Sequence, residues 1–227
     1  IRACFADTGN EHEATYDYVR YLHQRLGVPI QWIRRDFTPE WARRTAYVRD
    51  VWPTKLLKPV KVGDPDEDGV YSTAVVYTEA EATLLIERVM AVLAAGPTGN
   101  PFLDLCIIKG RFPSRKAQFC TQFLKTEPLT EYALELIEAH GAVESWQGVR
   151  AEESASRAKL PEREDQGGGL SVYRPILSWN VSQVFAQHSK HGLDPNPLYL
   201  QGMNRVGCMP CINAAKDELL AISKRFP

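Results

Sequence analysis

The stretch IRACFADTGNEHEATYDYVRYLHQRLGVPIQWIRR, residues 1–35, decides the fold class of the chain. Residues 1–6 are apolar and rich in strand-forming side chains, which predicts a strand. Apolar residues then recur at helical spacing as far as Gly27, which predicts a helix, and residues 28–35 predict a second strand. Strand, helix and strand joined by short connections are typical of a parallel α/β sheet.

Further patterns extend this unit along the chain. They predict a strand over residues 142–150, a loop over 161–169, and helices over 79–94, 115–124 and 131–140. We therefore expect an α/β fold with an open, mostly parallel, doubly wound, Rossmann-like sheet, followed by a C-terminal cysteine-bearing segment. The length suits one domain over residues 1–227. Residues 53–77, rich in Pro, Asp and Gly, predict an insertion or long loop.

Size and composition exclude several classes of protein. The net charge of −1 gives no general affinity for polyanions, although a local basic patch remains open. No apolar run reaches the roughly 18 residues of a membrane span, and the first residues do not resemble a signal peptide. We expect a cytoplasmic protein without a membrane partner. The five cysteines do not form a secreted disulfide framework, and Cys4, in a predicted buried strand, is expected to be inert.

A candidate anion site follows the first strand. Asp7 and Thr8 end the strand and Gly9 lets the backbone turn, so that the next helix presents its free N–H groups and positive end to a ligand. An ordinary strand-to-helix turn with a good cap explains the same residues without a ligand. Asp7 could also orient a ribose or a magnesium ion.

Basic residues concentrate between positions 109 and 125, around one cysteine and interleaved with Phe112 and Phe119. Guanidinium and ammonium groups at this density suit phosphate or sulfate, although a solvated basic helix face has the same composition. The candidate anion-binding residues in this segment are Arg111, Arg115 and Lys125.

A second basic motif, GVRAEESASRA, comes at the end of the predicted strand 142–150. Gly148 predicts a turn, and the two glutamates favour the start of a helix. Arg150 opposes the dipole of that helix. Arg150 and Arg157 are better explained by an anion that both reach, with a structural salt bridge as the alternative.

The stretch RVGCMPC, residues 205–211, places Cys208 and Cys211 three positions apart. Such a pair serves as a redox dithiol, as half of a zinc site or as two ligands of an iron–sulfur cluster; two inert buried thiols are the alternative. Cys120, beside the predicted anion site, is the natural third sulfur. The fourth ligand would be Cys106, a histidine or an exogenous group.

Taken in order, these motifs resemble the phosphoadenosine phosphosulfate (PAPS) reductase family, within the adenine-nucleotide α-hydrolase-like superfamily. The similar stretches are DTGNEHEATYDYV, CTQFLKTEPL, GVRAEESASRA and YRPILSWNVSQVFAQHSKHGLDPNPLYLQGMNRVGCMPC. They cover most of residues 1–215, and four ordered motifs are far more specific than any one of them. The insertion 53–77 and the stretch GRFPSRKAQF look closer to divergent, phage or mobile-element members.

The resemblance implies a four-iron four-sulfur (4Fe-4S) cluster. Aligning on the lysine and proline of CTQFLKTEPL matches Cys120, Cys208 and Cys211 to three of the family's ligands and Thr121 to the fourth. Either Cys106 completes the set, or one iron stays open, as in related three-cysteine enzymes that handle sulfur directly.

Two family features are missing from the sequence. One is the pyrophosphate loop Ser-Gly-Gly-x-Asp-Ser, which belongs before residue 1, and the other is a C-terminal Glu-Cys-Gly segment whose cysteine attacks the substrate sulfur. We therefore expect that the chain lacks its N-terminal loop and its C-terminal tail.

The resemblance implies an enzyme of sulfur metabolism that reduces adenosine 5'-phosphosulfate (APS) or PAPS to sulfite, with thioredoxin as the electron donor. The phosphosulfate would be held by Arg111, Arg115, Lys125, Arg150 and Arg157. The alternative is an ATP pyrophosphatase with magnesium and a cysteine-desulfurase-type sulfur donor, which activates a nucleic acid for DNA phosphorothioation or tRNA thiolation. A third reading is a degenerate nucleotide-binding module. Each is compatible with a homodimer.

Overall fold

The computed structural model describes residues 1–65, 67 and 69–226 and has an α/β fold, as predicted. Two residues of the predicted insertion, Asp66 and Asp68, lie outside the described part. The chain packs as two compact units, one formed by residues 1–35 with those from 113 onward, the other by residues 36–112. The expectation of one domain over the whole chain stays a prediction.

The strand–helix–strand unit at the N-terminus is confirmed. Strands β1 (Ala3–Asp7) and β2 (Ile30–Arg34) pair in parallel, and helix α1 (Glu13–Leu26) connects them. The side chain of His12 caps the start of α1 by accepting a hydrogen bond from the Ala14 N–H at 3.1 Å. The helix ends at Gly27, whose φ of 63° is readily adopted only by glycine.

The rest of the first unit holds a long helical segment and a second sheet. Helix α5 (Phe119–Thr121) continues through a π-helical turn (Gln122–Thr126) into α6 (Glu127–His140). Strand β7 (Leu170–Tyr173) lies between β5 (Val143–Trp146), to which it is parallel, and β6 (Arg163–Gly167), to which it is antiparallel. The remaining elements are two 3₁₀ turns (Ala151–Glu153 and Arg157–Lys159), α7 (Val181–Lys190), α8 (Pro197–Leu200) and α9 (Lys216–Arg225).

Several predictions in this unit were wrong in detail. The predicted loop 161–169 contains β6, because three consecutive glycines conceal a hairpin that pairs with β7. The helix predicted over 115–124 begins only at Phe119, since Ser114 and Ala117 exchange backbone hydrogen bonds in a tight turn. After Arg150 two short 3₁₀ turns form instead of the predicted helix.

The second unit is built mainly from helices. Its elements are α2 (Thr38–Lys55), β3 (Val60–Val62), β4 (Ser72–Ala74), α3 (Glu79–Ala94) and α4 (Pro101–Lys109). Trp41, Val48 and Leu93 form a buried core between α2 and α3. The Trp41 indole N–H donates to the Leu93 carbonyl at 2.9 Å, which satisfies both groups inside that core.

The predicted insertion 53–77 belongs to this second unit. Its first three residues finish α2, which contains Pro53, and the antiparallel pair β3–β4 follows. Within the described residues, no helix combines the length and the apolar character needed to cross a membrane.

Candidate functional site

The turn after β1 is fixed by a buried carboxylate. Asp7 is 6% exposed. Its Oδ1 accepts hydrogen bonds from the Gly9 N–H at 2.9 Å and from the Tyr16 hydroxyl at 3.0 Å. Its Oδ2 pairs with the Arg34 guanidinium at 3.1 Å, directly across from it in the β1–β2 register. The backbone turns at Gly9 with a φ of 74°, a conformation that disfavours other residues.

The same turn gathers a second carboxylate, that of Glu11. Thr8 is 1% exposed and donates both its N–H, at 3.1 Å, and its hydroxyl, at 2.6 Å, to Glu11. The Tyr16 hydroxyl also lies 3.2 Å from Glu11, so it bridges the two carboxylates. Burial, then Glu11 and Asp7, raise the pKa of Tyr16 well above its ordinary value, so it stays a proton donor at neutral pH.

The Cys-x-x-Cys segment closes over this turn. Residues Glu11 and Cys208 form an isolated antiparallel bridge, and the Met209 N–H donates to the Asn10 carbonyl at 2.6 Å. The Asn10 side chain donates to the Pro210 carbonyl at 3.2 Å. The Cys208 sulfur consequently lies 3.5 Å from the Thr8 hydroxyl oxygen and 3.6 Å from Glu11 Oε1. The first motif of the chain and the last one therefore form one site.

Lys125 completes this site electrostatically. Burial raises the pKa of the Cys208 thiol, Glu11 adds to that rise, and the Lys125 ammonium and the Thr8 hydroxyl oppose it. Lys125 lies in the π-helical turn, a local widening of a helix that is frequent at functional sites. The site thus combines a partly buried thiol, a cation beside it and two carboxylates on the turn.

Two further cysteines of the first unit, Cys120 and Cys211, lie on segments that contact each other. Cys120 is in α5, and Cys211 accepts a hydrogen bond from the Asn213 N–H at 3.5 Å. The side chain of Asn213 donates to Gln118 at 3.4 Å. Arg115 donates to the carbonyls of Ile212 and Ala214, at 3.4 and 2.9 Å, and so ties the approach to Cys120 to the end of the Cys-x-x-Cys segment.

Cysteine thiolates are the right type of ligand for an iron–sulfur cluster, but only three of them lie on these segments. Thiolates are the ligands that such clusters take, and Cys120, Cys208 and Cys211 lie on adjoining segments. Within the described part of the chain, however, no three His, Cys, Asp or Glu side chains are grouped so as to hold a metal ion. Cys106 is buried in α4 and belongs to the other unit. These three thiols therefore supply one donor fewer than a four-cysteine set.

The predicted arginines have other partners in this structure. Arg150 pairs with Glu152 and, at 3.6 Å, with Glu153, and Arg157 pairs with Glu153 as well. These contacts match the salt-bridge alternative weighed for this motif. Arg111 belongs to the other unit. A Cβ atom at Gly148 would approach the Ile176 side chain to 3.8 Å, an ordinary contact distance, so packing does not require glycine at this position.

Only part of this site was predicted from the sequence. The structure brings together Asp7, Thr8, Gly9, Lys125 and Cys208, all of which were predicted. It adds Glu11, Tyr16 and Arg34, which were not singled out. Glu11 and Tyr16 could have been found because they stand in the same motif, whereas Arg34 becomes visible only from the β1–β2 register. The expectation that Cys4 is buried was wrong, because its side chain in β1 is exposed.

Part of the chain matches a known family model, and the chain is similar to several known proteins. The model of the phosphoadenosine phosphosulfate reductase domain matches residues 107–214. An uncharacterized 37.8 kDa protein of Escherichia phage 186 is 44% identical over 227 residues, which are 98% of this chain and 63% of that protein. An adenosine 5'-phosphosulfate reductase of Neisseria meningitidis serogroup A is 30% identical over 160 residues, which cover 65% of this chain and 63% of that enzyme.

The chain thus spans a little under two thirds of the length of both relatives. Among solved structures, a PAPS reductase from Candida auris in complex with phosphate is 17% identical, with a TM-score of 0.45 over 92% of this chain and 69% of that one. Residues 107–214 therefore match the phosphoadenosine phosphosulfate reductase domain, in agreement with the resemblance of the motifs, and the chain as a whole is similar to a phage protein.

Proposed function

We propose that the protein containing this chain reduces an adenylyl sulfate, APS or PAPS, to sulfite in a reducing, cytoplasmic compartment. The observation that carries the proposal is the contact between the turn 7–11 and Cys208 beside Lys125, because it joins three of the family's motifs in one site. The similarity to an APS reductase supports the substrate class. Positive charge beside the site suits a substrate that carries phosphate and sulfate.

In the proposed reaction a thiolate attacks the sulfonyl sulfur, a sulfur–sulfur bond forms, and the bond from sulfur to the phosphate oxygen breaks to release AMP or its 3'-phosphate. A second thiol, from a thioredoxin-type donor, then attacks the enzyme sulfur. Sulfite leaves with the electron pair and a disulfide remains, so two thiols are oxidised for each sulfate reduced. We assign the attacking thiol to none of the five cysteines.

The chain's own residues would bind and orient the nucleotide. The N–H groups at the start of α1 and the Lys125 ammonium attract anionic groups, and Lys125 neutralises charge that develops on the leaving phosphate. Asp7 and Tyr16 hold the turn in place and do not themselves transfer protons. We further propose that Arg115, Arg150 and Arg157 contact the phosphosulfate group. Arg150 and Arg157 would then release their ion pairs with glutamate when the substrate binds.

We also propose a 4Fe-4S cluster held by Cys120, Cys208 and Cys211, with an open position as the fourth site. Bound there, it would supply a redox-active or electrostatic centre whose charge Lys125 helps to balance. The cluster is tested by iron and acid-labile sulfide analysis of protein purified without oxygen. Loss of iron in Cys211→Ser and its retention in Cys4→Ser would support the assignment, and iron-free wild-type protein would overturn it.

The activity is tested with the full-length protein, purified without oxygen and offered APS, PAPS or ATP in parallel with reduced thioredoxin. We expect sulfite from APS or PAPS, and its loss in Lys125→Met but not in Lys190→Met, an exposed lysine of α7. Pyrophosphate released from ATP without sulfite would overturn the proposal in favour of ATP-dependent sulfur transfer. Absence of both products would favour a nucleotide-binding module that has lost catalysis.

A further inference from the structure

A strip of basic side chains runs from α2 into β3, in the unit formed by residues 36–112. Six Lys or Arg residues and two Asp or Glu residues lie between positions 40 and 61, which gives this stretch a net charge of +4 against −1 for the whole chain. The stretch therefore departs strongly from the average charge of the protein.

Both acidic residues of the stretch are already paired. Arg43 contacts Glu40 at 3.3 Å, and Arg49 contacts Asp50 at 2.6 Å, each next to it on the same helix. The basic strip consists of the four cations that remain, and across residues 1–65, 67 and 69–226 none of them forms an ion pair. They are Arg44, Lys55, Lys58 and Lys61.

Aromatic rings alternate with these cations. The Arg44 guanidinium lies 5.8 Å from the centre of the Tyr47 ring and 5.4 Å from that of Trp52. Lys55 contacts the same tyrosine, with its ammonium 2.5 Å from the hydroxyl oxygen. On the hairpin, the Lys61 ammonium lies 4.5 Å above the ring of Tyr71, which is 39% exposed.

Cation–π contacts hold the charges of Arg44, Lys55 and Lys61 without neutralising them. A protein surface that needed only solubility would intersperse carboxylates among them. Lys55, Lys58 and Lys61 follow one another at intervals of three residues, at most about 10 Å of chain each, so positive charge recurs closely along this segment. Asp64 and Glu67, in the turn beyond the paired strands, limit the segment at its far end.

We propose that this basic strip binds single-stranded nucleic acid. A row of cations that lacks carboxylates fits the phosphate backbone, and an exposed tyrosine beside it offers a ring on which an unpaired base can stack. An acidic peptide would use the charges but not the ring, and a duplex would keep its bases stacked inside. The inference is independent of the reductase proposal, because no residue of the strip lies in the first unit.

The test measures binding of a fluorescein-labelled oligothymidylate to the full-length protein by fluorescence anisotropy over a range of salt concentrations. Four phosphate contacts predict a slope of about −2.8 for log affinity against log salt, since each contact to a single strand contributes about −0.7. Replacing Lys55, Lys58 and Lys61 together by glutamine should reduce the slope to about −0.7. The matched control replaces three exposed lysines of the other unit, Lys190, Lys216 and Lys224, by glutamine and should leave it unchanged.

A second variant separates base stacking from charge. Tyr71→Ala should weaken binding by about tenfold while the salt slope stays the same, since stacking does not involve counterions. The proposal is overturned if the wild-type protein shows no salt-dependent binding, or if the control triple variant loses as much affinity as the strip variant. It is also overturned if a duplex binds more tightly, or if inorganic polyphosphate competes equally well and Tyr71→Ala has no effect.

Discussion

The buried carboxylate of Asp7 allows a prediction in which charge and hydrogen bonding can be separated. Asparagine at this position retains the Oδ1 acceptor for Gly9 and Tyr16 and loses only the ion pair with Arg34. Because the Arg34 side chain is 49% exposed, that pair is screened by water and its loss should cost about 1 kcal/mol. Asp7→Ala also loses two hydrogen bonds at about 1 kcal/mol each, so its total cost should be roughly 3 kcal/mol.

The free energy of unfolding is measured by urea titration, followed by circular dichroism and tryptophan fluorescence. Tyr16→Phe is the matched partner, because it removes the hydroxyl donor to Asp7 and keeps the ring. In a double-mutant cycle, Asp7→Ala and Tyr16→Phe should be coupled by about 1 kcal/mol. The reasoning is refuted if asparagine costs as much as alanine, or if the two substitutions are additive to within about 0.3 kcal/mol.

Three further predictions follow from single contacts. Gly9→Ala should lower the free energy of unfolding by about 1–2 kcal/mol in a urea titration, because the backbone there has a φ of 74°, and an unchanged value would show that the turn can relax. Burial raises the pKa of the Cys208 thiol, so its alkylation by iodoacetamide in the metal-free protein should accelerate only above the pH range of an ordinary thiol, as followed by mass spectrometry. Lys125→Gln should raise the pKa of Cys208 further and slow the alkylation, and a faster alkylation in this variant would contradict the contact between Lys125 and Cys208. Trp41→Phe should destabilise the second unit by about 1–3 kcal/mol in thermal unfolding, since the Leu93 carbonyl loses its buried donor, and a neutral effect would indicate that water replaces the indole.

Local patterns predicted the parts of the fold that local physics determines. The first strand, α1 with its glycine stop, and α3 over Glu79–Ala94 lie where periodicity and capping residues indicated them. Helix α2 was not predicted, because a proline and paired charges obscure its apolar face, which becomes evident only from packing on α3. The strand β6 is polar along its length and is defined by its partner β7.

The candidate site shows the same division. Residue type and motif were enough to select Asp7, Thr8, Gly9 and Lys125, because carboxylate, hydroxyl, glycine and ammonium groups indicate a turn and an anion site by themselves. The approach of Cys208 to the turn and the use of Arg115 as a backbone clamp depend on contacts between segments about two hundred or one hundred positions apart, which no local spacing reveals. The ion pairs of Arg150 and Arg157 were foreseen only as an alternative, since a sequence does not show which partner a charge selects.

The bridge between Glu11 and Cys208 also bears on the order in which the protein is made. The unit over residues 36–112 is continuous in the chain, so on the ribosome it can fold as soon as it has emerged. The candidate site forms later, because its two halves are 197 positions apart and the unit over residues 36–112 lies between them in the chain. Until Cys208 has been synthesised, Glu11 lacks its bridge partner. A chain that stalls between these two segments would therefore carry a folded unit over residues 36–112 and no candidate site.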